Sequence, residues 1–265
     1  MTSLAEAADY LRRRGIAHPE SDVRLLAARA AGRPLRTALG SPFPALEGAA
    51  LEEFRRLLER RGRDRVPAAY LVGTEEFMGL EFRVTPAVLI PRPSTETLAE
   101  RALAAPPGRF LEIGTGCGAL AVVLARSGWT GVATDLSAEA LEVARENAGR
   151  HGVAGCIAFV RADLFAEGTF DLVVSNPPYV ASGEFSALPP EVLHEPRLAL
   201  DGGPDGLEVI RRVAAGSRRR APRLLLECAP RQAAAVRALV LGSGFRTAAV
   251  FRDLDGFDRV VEALA

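Results

Sequence analysis

Apolar residues recur at helical spacing through the first part of the chain. Ser3 precedes the first such pattern and can cap its helix, and a second helix is expected to begin at Ser21 or Asp22. After a stretch rich in glycine and proline, a third pattern covers Leu51–Arg61. No strand pattern interrupts these segments, so we expect a small all-helical domain over residues 1–72.

Residues 73–90 have a different pattern, in which apolar and polar positions alternate. The alternation is centred on Gly73 and Gly79, which are suited to tight turns. This pattern predicts a short β-hairpin, and we interpret it as a linker between the helical domain and the rest of the chain.

From about residue 108 onward, short apolar runs alternate with amphipathic segments. Such an alternation predicts right-handed crossovers and a mostly parallel sheet with helices on both faces. The expected fold class is therefore α/β, with a doubly wound domain over residues 91–265 that follows the helical domain and the hairpin.

The composition is typical of a folded protein without a membrane-spanning segment. Hydrophobic residues make up 48% of the 265 residues and charged residues 25%. No apolar run is long enough to span a bilayer, and the first residues do not resemble a secretion signal. We therefore expect a cytoplasmic protein with no membrane partner. The cysteines Cys117, Cys156 and Cys228 are too scattered to indicate a metal site or a disulfide framework.

The charge balance argues against a nucleic-acid-binding protein. Basic and acidic residues number 33 each, and every basic residue is arginine. Proteins that neutralise phosphates usually carry a basic excess on at least one domain. We interpret the arginine runs at Arg12–Arg14, Arg60–Arg65 and Arg218–Arg220 as solvated helix faces. Direct nucleic-acid binding is not expected.

A glycine-rich turn follows the first strand pattern of the α/β region. Gly114, Gly116 and Gly118 lie between the apolar run Phe110–Ile113 and a predicted helix, Ala119–Arg126. Glycine at these positions lets a ligand approach the backbone closely. The turn alone fits a dinucleotide, a methyl donor, or a tight turn without a ligand.

Acidic residues follow the next two strand patterns. Asp135 comes about twenty residues after the glycines, where a carboxylate can accept hydrogen bonds from both hydroxyls of a ribose. Asp163 could accept from an adenine amino group, with Leu164 beside the ring, or it could simply cap a helix. Because the carboxyl ends of parallel strands meet at one edge of the sheet, these residues predict a nucleoside site there.

The fourth strand pattern, Phe170–Ser175, runs into Asn176-Pro-Pro-Tyr179. Two prolines remove amide donors and hold the backbone extended, which leaves neighbouring carbonyl groups free to accept hydrogen bonds. Asn176 adds another acceptor and Tyr179 a flat face. Together they suit a planar NH2 group on a conjugated carbon.

An Asn-Pro-Pro-Tyr step after such a glycine turn resembles amino-methyltransferases that act on adenine, guanine or glutamine. Further stretches resemble the bacterial protein-(glutamine) methyltransferases that modify peptide chain release factors, the PrmC or HemK family. With the helical domain, this resemblance covers essentially the whole chain. The stretches are Glu76–Phe82, Ile90–Glu96, Glu195–Gly203 with Asp205–Leu207, and Arg252–Val261.

The resemblance implies a seven-stranded Rossmann-like domain that binds S-adenosyl-L-methionine and methylates a glutamine side-chain amide. The expected substrate is the Gly-Gly-Gln loop of bacterial class I release factors. The residues implied to be catalytic are Asn176, Pro177 and Tyr179. Those implied to bind the substrate are Asn176, Pro177, Pro178, Tyr179 and Arg92. Those implied to bind the cofactor are Glu112, Gly114, Thr115, Gly116, Cys117, Gly118, Asp135, Leu136, Asp163, Leu164 and Asn176.

Some positions depart from the family pattern, and other functions stay open. Ser94 stands where the family usually has an acidic residue, Glu112 where it has aspartate, and Cys228-Ala229 where it has a glycine-containing step. A ribosomal-protein glutamine, or an adenine or guanine amine in nucleic acid, are alternative substrates. A module that binds the cofactor without catalysis is a further alternative, which the complete Asn176–Tyr179 motif argues against.

Overall fold

A computed structural model describes residues 3–265 of the chain. Its contacts divide the chain into two compact units. The first contains the residues up to Thr74 together with Pro189–His194, and the second contains Glu75–Leu188 and Glu195–Ala265. Within the described residues, no helix is both long and apolar enough to cross a membrane.

The first unit is helical, as its periodicity predicts. Ser3 caps the first helix by accepting a hydrogen bond from the amide of Glu6. The second helix begins at Pro19, before the expected start, because proline at the first helical position has no amide hydrogen that needs a partner. The helices are α1 (Leu4–Arg12), α2 (Pro19–Ala30), α3 (Gly48–Gly62) and α4 (Ala68–Val72).

The core of this unit consists of the apolar faces of these helices, with Phe54 and Leu11 fully buried. The short helix α4 has no long periodic pattern and was not expected from the sequence. It begins after Pro67 and ends at Gly73, whose φ of 88° gives the left-handed conformation common at helix C-termini.

The predicted hairpin consists of β1 (Thr74–Phe77) and β2 (Leu80–Arg83). Met78 and Gly79 form its two-residue turn, and both have positive φ, as a turn that follows the strand twist requires. The Met78 amide donates to the Glu96 carboxylate at 2.8 Å, which offsets the strain of a left-handed methionine.

The second unit contains the expected seven-stranded sheet, in the order β5-β4-β3-β6-β7-β9-β8. Five neighbouring strands are parallel, and β9 and β8 form an antiparallel edge. This confirms the predicted α/β class. The strands are β3 (Arg109–Ile113), β4 (Thr130–Asp135), β5 (Ile157–Arg161), β6 (Leu172–Ser175), β7 (Arg223–Glu227), β8 (Thr247–Arg252) and β9 (Asp258–Leu264).

Helices of the second unit pack on this sheet, and one of them was not expected. Pro93 at the first helical position starts α5, which follows the hairpin and buries Leu98, Ala99 and Ala102. The helix expected over Ala119–Arg126 is present with the same bounds. The helices are α5 (Pro93–Leu103), α6 (Ala119–Arg126), α7 (Ala138–Arg150), α8 (Glu208–Ser217) and α9 (Ala233–Gly242).

Candidate functional site

A cavity of about 730 Å³ lies at the carboxyl ends of β3, β4, β5 and β6. This is the edge of a parallel sheet at which doubly wound folds bind their ligands. Nine of the residues implied by the sequence line its wall. They are Gly114, Gly116, Asp135, Leu136, Asp163, Leu164, Asn176, Pro177 and Pro178.

The three glycines of the turn have different roles. Gly114 and Gly116 line the cavity with φ of 73° and 54°, and an added Cβ at either would meet no atom within 4 Å. The space beside them is therefore open to a ligand. Gly118 does not line the cavity; a Cβ there would lie 2.9 Å from the Cβ of Ala144. Gly118 is required for close packing against α7 rather than for contact with a ligand.

The Asp135 carboxylate is held in place by the backbone around it. One oxygen accepts from the Gly116 amide and the other from the Ser137 amide, both at 2.9 Å. Each carboxylate oxygen has a further lone pair, so both can still accept from a ligand hydroxyl. The fixed carboxylate fits the ribose contact that the sequence suggests.

Glu112, Thr115 and Cys117 lie behind the glycine turn and do not line the cavity. The Thr115 hydroxyl donates to the Glu112 carboxyl at 2.7 Å. Burial raises the pKa of Glu112 to about 8, so it is mostly a neutral acid at pH 7. The Cys117 carbonyl accepts from the Asn147 side chain at 2.8 Å. These contacts support the shape of the turn.

Asp163 lies on the cavity wall, and no helix begins there among the described residues, which removes the capping alternative. Its carboxylate accepts from the Arg212 guanidinium at 2.7 Å. An adenine amino group would therefore share Asp163 with Arg212, a partner that the sequence did not indicate. Leu164 beside it has a φ of 76°, an uncommon conformation for leucine.

Asn176 follows the last residue of β6 and lines the cavity. Its side-chain Nδ2 donates to the Thr95 hydroxyl of α5 at 3.1 Å. No described residue donates a hydrogen bond to its Oδ1. The contact with Thr95 was not expected, because Thr95 lies eighty-one positions earlier and no local pattern relates the two.

Pro177 and Pro178 line the cavity, whereas the Tyr179 side chain does not. The Tyr179 carbonyl accepts from the Gln232 side chain at 3.0 Å, and burial raises the pKa of its phenol to about 12. In this structure Tyr179 is packed behind the motif, so a flat face toward a substrate is not exposed at the cavity wall.

The backbone after Tyr179 is fixed by a bridge between distant segments. The Val180 amide donates to the Leu200 carbonyl at 2.9 Å, and the Gly202 amide donates to the Val180 carbonyl at 2.8 Å. A Cβ on Gly202 would approach the Pro178 carbonyl to 2.8 Å. Glycine is therefore needed at position 202, behind the motif.

Arg92 lies outside the cavity wall and forms an ion pair with Glu195. Glu195 also accepts from the Ile90 amide at 3.1 Å. Burial raises the pKa of the Glu195 carboxyl, and the Arg92 charge opposes that rise. The pair joins the two family stretches that begin at Ile90 and Glu195.

Known proteins resemble both parts of the chain. A family described as "Methyltransferase small domain" matches residues 93–207, and one described as "PrmC N-terminal domain" matches residues 2–73. A release factor glutamine methyltransferase from Cereibacter sphaeroides is 44% identical, over 98% of this chain and 96% of that protein. One from Caulobacter vibrioides is 37% identical, over 96% of this chain and 92% of that protein.

Solved structures share the fold at low sequence identity. A methyltransferase from Pyrococcus furiosus aligns with a TM-score of 0.53 at 18% identity, over 71% of this chain and 90% of that one. The hMettl16 catalytic domain, in complex with a MAT2A 3'UTR hairpin, gives 0.59 at 16% identity, over 84% of each chain. At these identities the likeness concerns the fold alone.

The parallel sheet, its glycine turn and the Asn-Pro-Pro-Tyr step at the cavity define a methyltransferase of the doubly wound class. The match along almost the whole chain is more specific. The chain belongs to the release factor glutamine methyltransferase family.

Proposed function

We propose that this protein transfers a methyl group from S-adenosyl-L-methionine to the side-chain amide nitrogen of a glutamine in a peptide chain release factor. The observation that carries the proposal is Asn176 at the cavity wall: its Nδ2 donates to Thr95, and its Oδ1 accepts from no residue that the structure describes. An unbonded acceptor beside the cavity suits an incoming NH2 group.

The residues around the cavity fit the cofactor. Gly114 and Gly116 leave open space where a side chain would project, and Asp135 offers two acceptors in a fixed position. Asp163 lies on the same wall for an adenine amino group. When bound, the cofactor supplies an electrophilic methyl group on a sulfonium.

The protein must make an amide nitrogen nucleophilic, although its lone pair is delocalised into the carbonyl group. Asn176 Oδ1 and the Pro177 carbonyl can each accept one hydrogen of the NH2 group. As the N–C bond forms and the bond from the methyl group to sulfur breaks, positive charge develops on nitrogen, and these acceptors stabilise it more than they stabilise the neutral amide. The nitrogen then loses one of its hydrogens to water as a proton. The motif also fixes the direction of approach, which raises the effective concentration of the reacting atoms.

We further propose that the substrate is a bacterial class I release factor, modified in its Gly-Gly-Gln loop, and not a nucleic acid. In the arginine runs noted above, several side chains are already paired with carboxylates, which reduces their capacity to bind phosphate. Arg61 pairs with Asp22 and Glu191, Arg63 with Glu59 and Asp64, and Arg12 with Asp9 and Glu20. We also propose that the helical unit contributes to recognition of the protein substrate.

The test is an assay with purified protein, S-adenosylmethionine and purified class I release factors, followed by peptide mass spectrometry. We expect one added methyl group on the loop glutamine, and none on a release factor whose loop glutamine is replaced by glutamate. Parallel reactions contain ribosomal proteins or nucleic acid. Methylation of either of these, with every release factor unmodified, would overturn the proposal.

A further inference from the structure

The contact between Asn176 and α5 has a consequence for the reaction. An asparagine amide is planar, with Nδ2 and Oδ1 on opposite sides of the same carbon. Because Nδ2 donates to the Thr95 hydroxyl at 3.1 Å, Oδ1 lies on the other edge of the amide. The reverse orientation would present an NH2 group to the NH2 group of a substrate, and two donors repel each other.

The Thr95 hydroxyl can act as donor or acceptor, so something must fix its direction. Thr95 lies in the first turn of α5 and is buried. The carboxyl of Glu227, at the end of β7, is also fully buried, and neither of its oxygens has a hydrogen-bond partner within 3.5 Å among the described residues.

Thr95 nevertheless affects the pKa of Glu227. Burial raises the pKa of Glu227 to about 7, and hydrogen bonding from Thr95 is the largest influence that lowers it. A hydroxyl hydrogen that points toward Glu227 leaves the oxygen lone pairs of Thr95 for Asn176.

We propose that Thr95 is a positioning residue, which holds the Asn176 amide with Oδ1 directed to the substrate NH2 group. This inference rests on the proposed function, because it assigns Asn176 Oδ1 as the acceptor for the glutamine amide. Thr95 itself lies outside the cavity wall and acts only through Asn176.

The test compares substitutions that keep or remove the hydroxyl. Thr95→Val retains the size of the side chain and removes the acceptor, so kcat for release factor methylation should fall about tenfold, the value of one hydrogen bond. KM and the affinity for S-adenosylhomocysteine should change less than twofold. Thr95→Ser should restore most of the rate. Thr97→Val is the matched control, since Thr97 is buried on the same helix, whereas the described hydrogen bond of the Asn176 side chain goes to Thr95.

A double-mutant cycle separates positioning from general damage. In an Asn176→Ala background, Thr95→Val should change the rate less than about twofold, because its target is gone. Thermal unfolding checks each variant, and Thr95→Ala replaces Thr95→Val in every comparison if the valine variant does not fold.

The idea is overturned if Thr95→Val matches the wild type, if Thr95→Ser is no better than Thr95→Val, or if Thr95→Val lowers the rate equally without Asn176. Failure of the wild type to methylate any release factor would instead count against the proposed function. The two failures are therefore distinguishable.

Discussion

Arg61 forms the centre of a buried ion cluster in the helical unit, and its removal should destabilise that unit strongly. Its Nε contacts Asp22 at 2.6 Å and its Nη1 contacts Glu191 at 2.9 Å. The Arg61 side chain is only 9% exposed and that of Asp22 13%. Arg61 is buried, so the interpretation of its arginine run as a solvated helix face is wrong at this position. Burial already raises the pKa of Asp22, although the Arg61 charge opposes the rise.

Substitution of Arg61 by methionine keeps much of the packing but leaves Asp22 without its counter-charge. Loss of one partner of a buried pair costs about 3 to 5 kcal/mol, a large part of the stability of a small domain. Glu191 should be affected less, because Arg65 still contacts it at 2.7 Å. Arg61→Met with Asp22→Asn should recover much of the loss, since no uncompensated charge remains.

The loss should depend on pH. Without Arg61 the pKa of folded Asp22 rises further above its unfolded value, so stability is retained at low pH and falls as pH rises through the folded pKa. Urea denaturation at about pH 5 and pH 7 measures the free energy of unfolding of the wild type and the variant at each pH. Arg56→Met is the matched control, because the Arg56–Glu53 pair on the same helix is exposed and should contribute under about 1 kcal/mol. A loss below 1 kcal/mol for Arg61→Met, or equal losses at both pH values, would refute the reasoning.

Three other substitutions test the site. Asn176→Ala removes an acceptor of developing charge and should lower the methylation rate about a hundredfold to a thousandfold with little change in cofactor affinity; near wild-type turnover would exclude a catalytic role. Asp135→Ala should weaken S-adenosylmethionine binding by about 1 to 3 kcal/mol in calorimetry, and an unchanged affinity would remove Asp135 from the site. Glu112→Gln keeps the bond from Thr115 but cannot ionise. Because the pKa of Glu112 lies near 8, wild-type stability should fall by up to ~1.4 kcal/mol per pH unit as pH rises from about 5 to 8, and the variant should lose this slope. Parallel unfolding curves for the two proteins would contradict this.

Much of the fold can be predicted from the local spacing of apolar residues, because helices and buried strands each have a characteristic pattern. The apolar runs that became β3 and β6 were evident, as were the polar residues at their ends. The short helix α4 and the proline-initiated α5 were missed, since five residues carry too little periodicity and a helix after Ile90-Pro91 resembles a loop.

The site was predictable where a residue directly follows a strand, and less so where it depends on long-range contact. Gly114, Asp135 and Asn176 lie at the cavity because the topology brings strand ends together. Gly118 belongs to the glycine turn and Tyr179 to the Asn-Pro-Pro-Tyr motif, but their contacts are with residues of other elements. Gly118 packs against Ala144, and the Tyr179 carbonyl accepts from Gln232. Nothing local to the sequence indicates that a threonine of α5 would hold the motif asparagine.

The clearest example of such long-range contact is the segment Pro189–His194. In the sequence it lies between Val180 and Asp201, which form a bridge in the α/β domain. Sequence order therefore assigns the segment to that domain, but its contacts place it in the helical unit. Glu191 pairs with Arg61 and Arg65, and His194 contacts the Asp64 carbonyl at 2.8 Å. The chain therefore passes between the units three times rather than once at the hairpin. Removal of the first 72 residues would take away the partners of this segment, and a loss of methylation by that fragment could not be assigned to substrate recognition alone. Arg61→Met with Asp22→Asn instead alters these contacts while the rest of the chain stays in place.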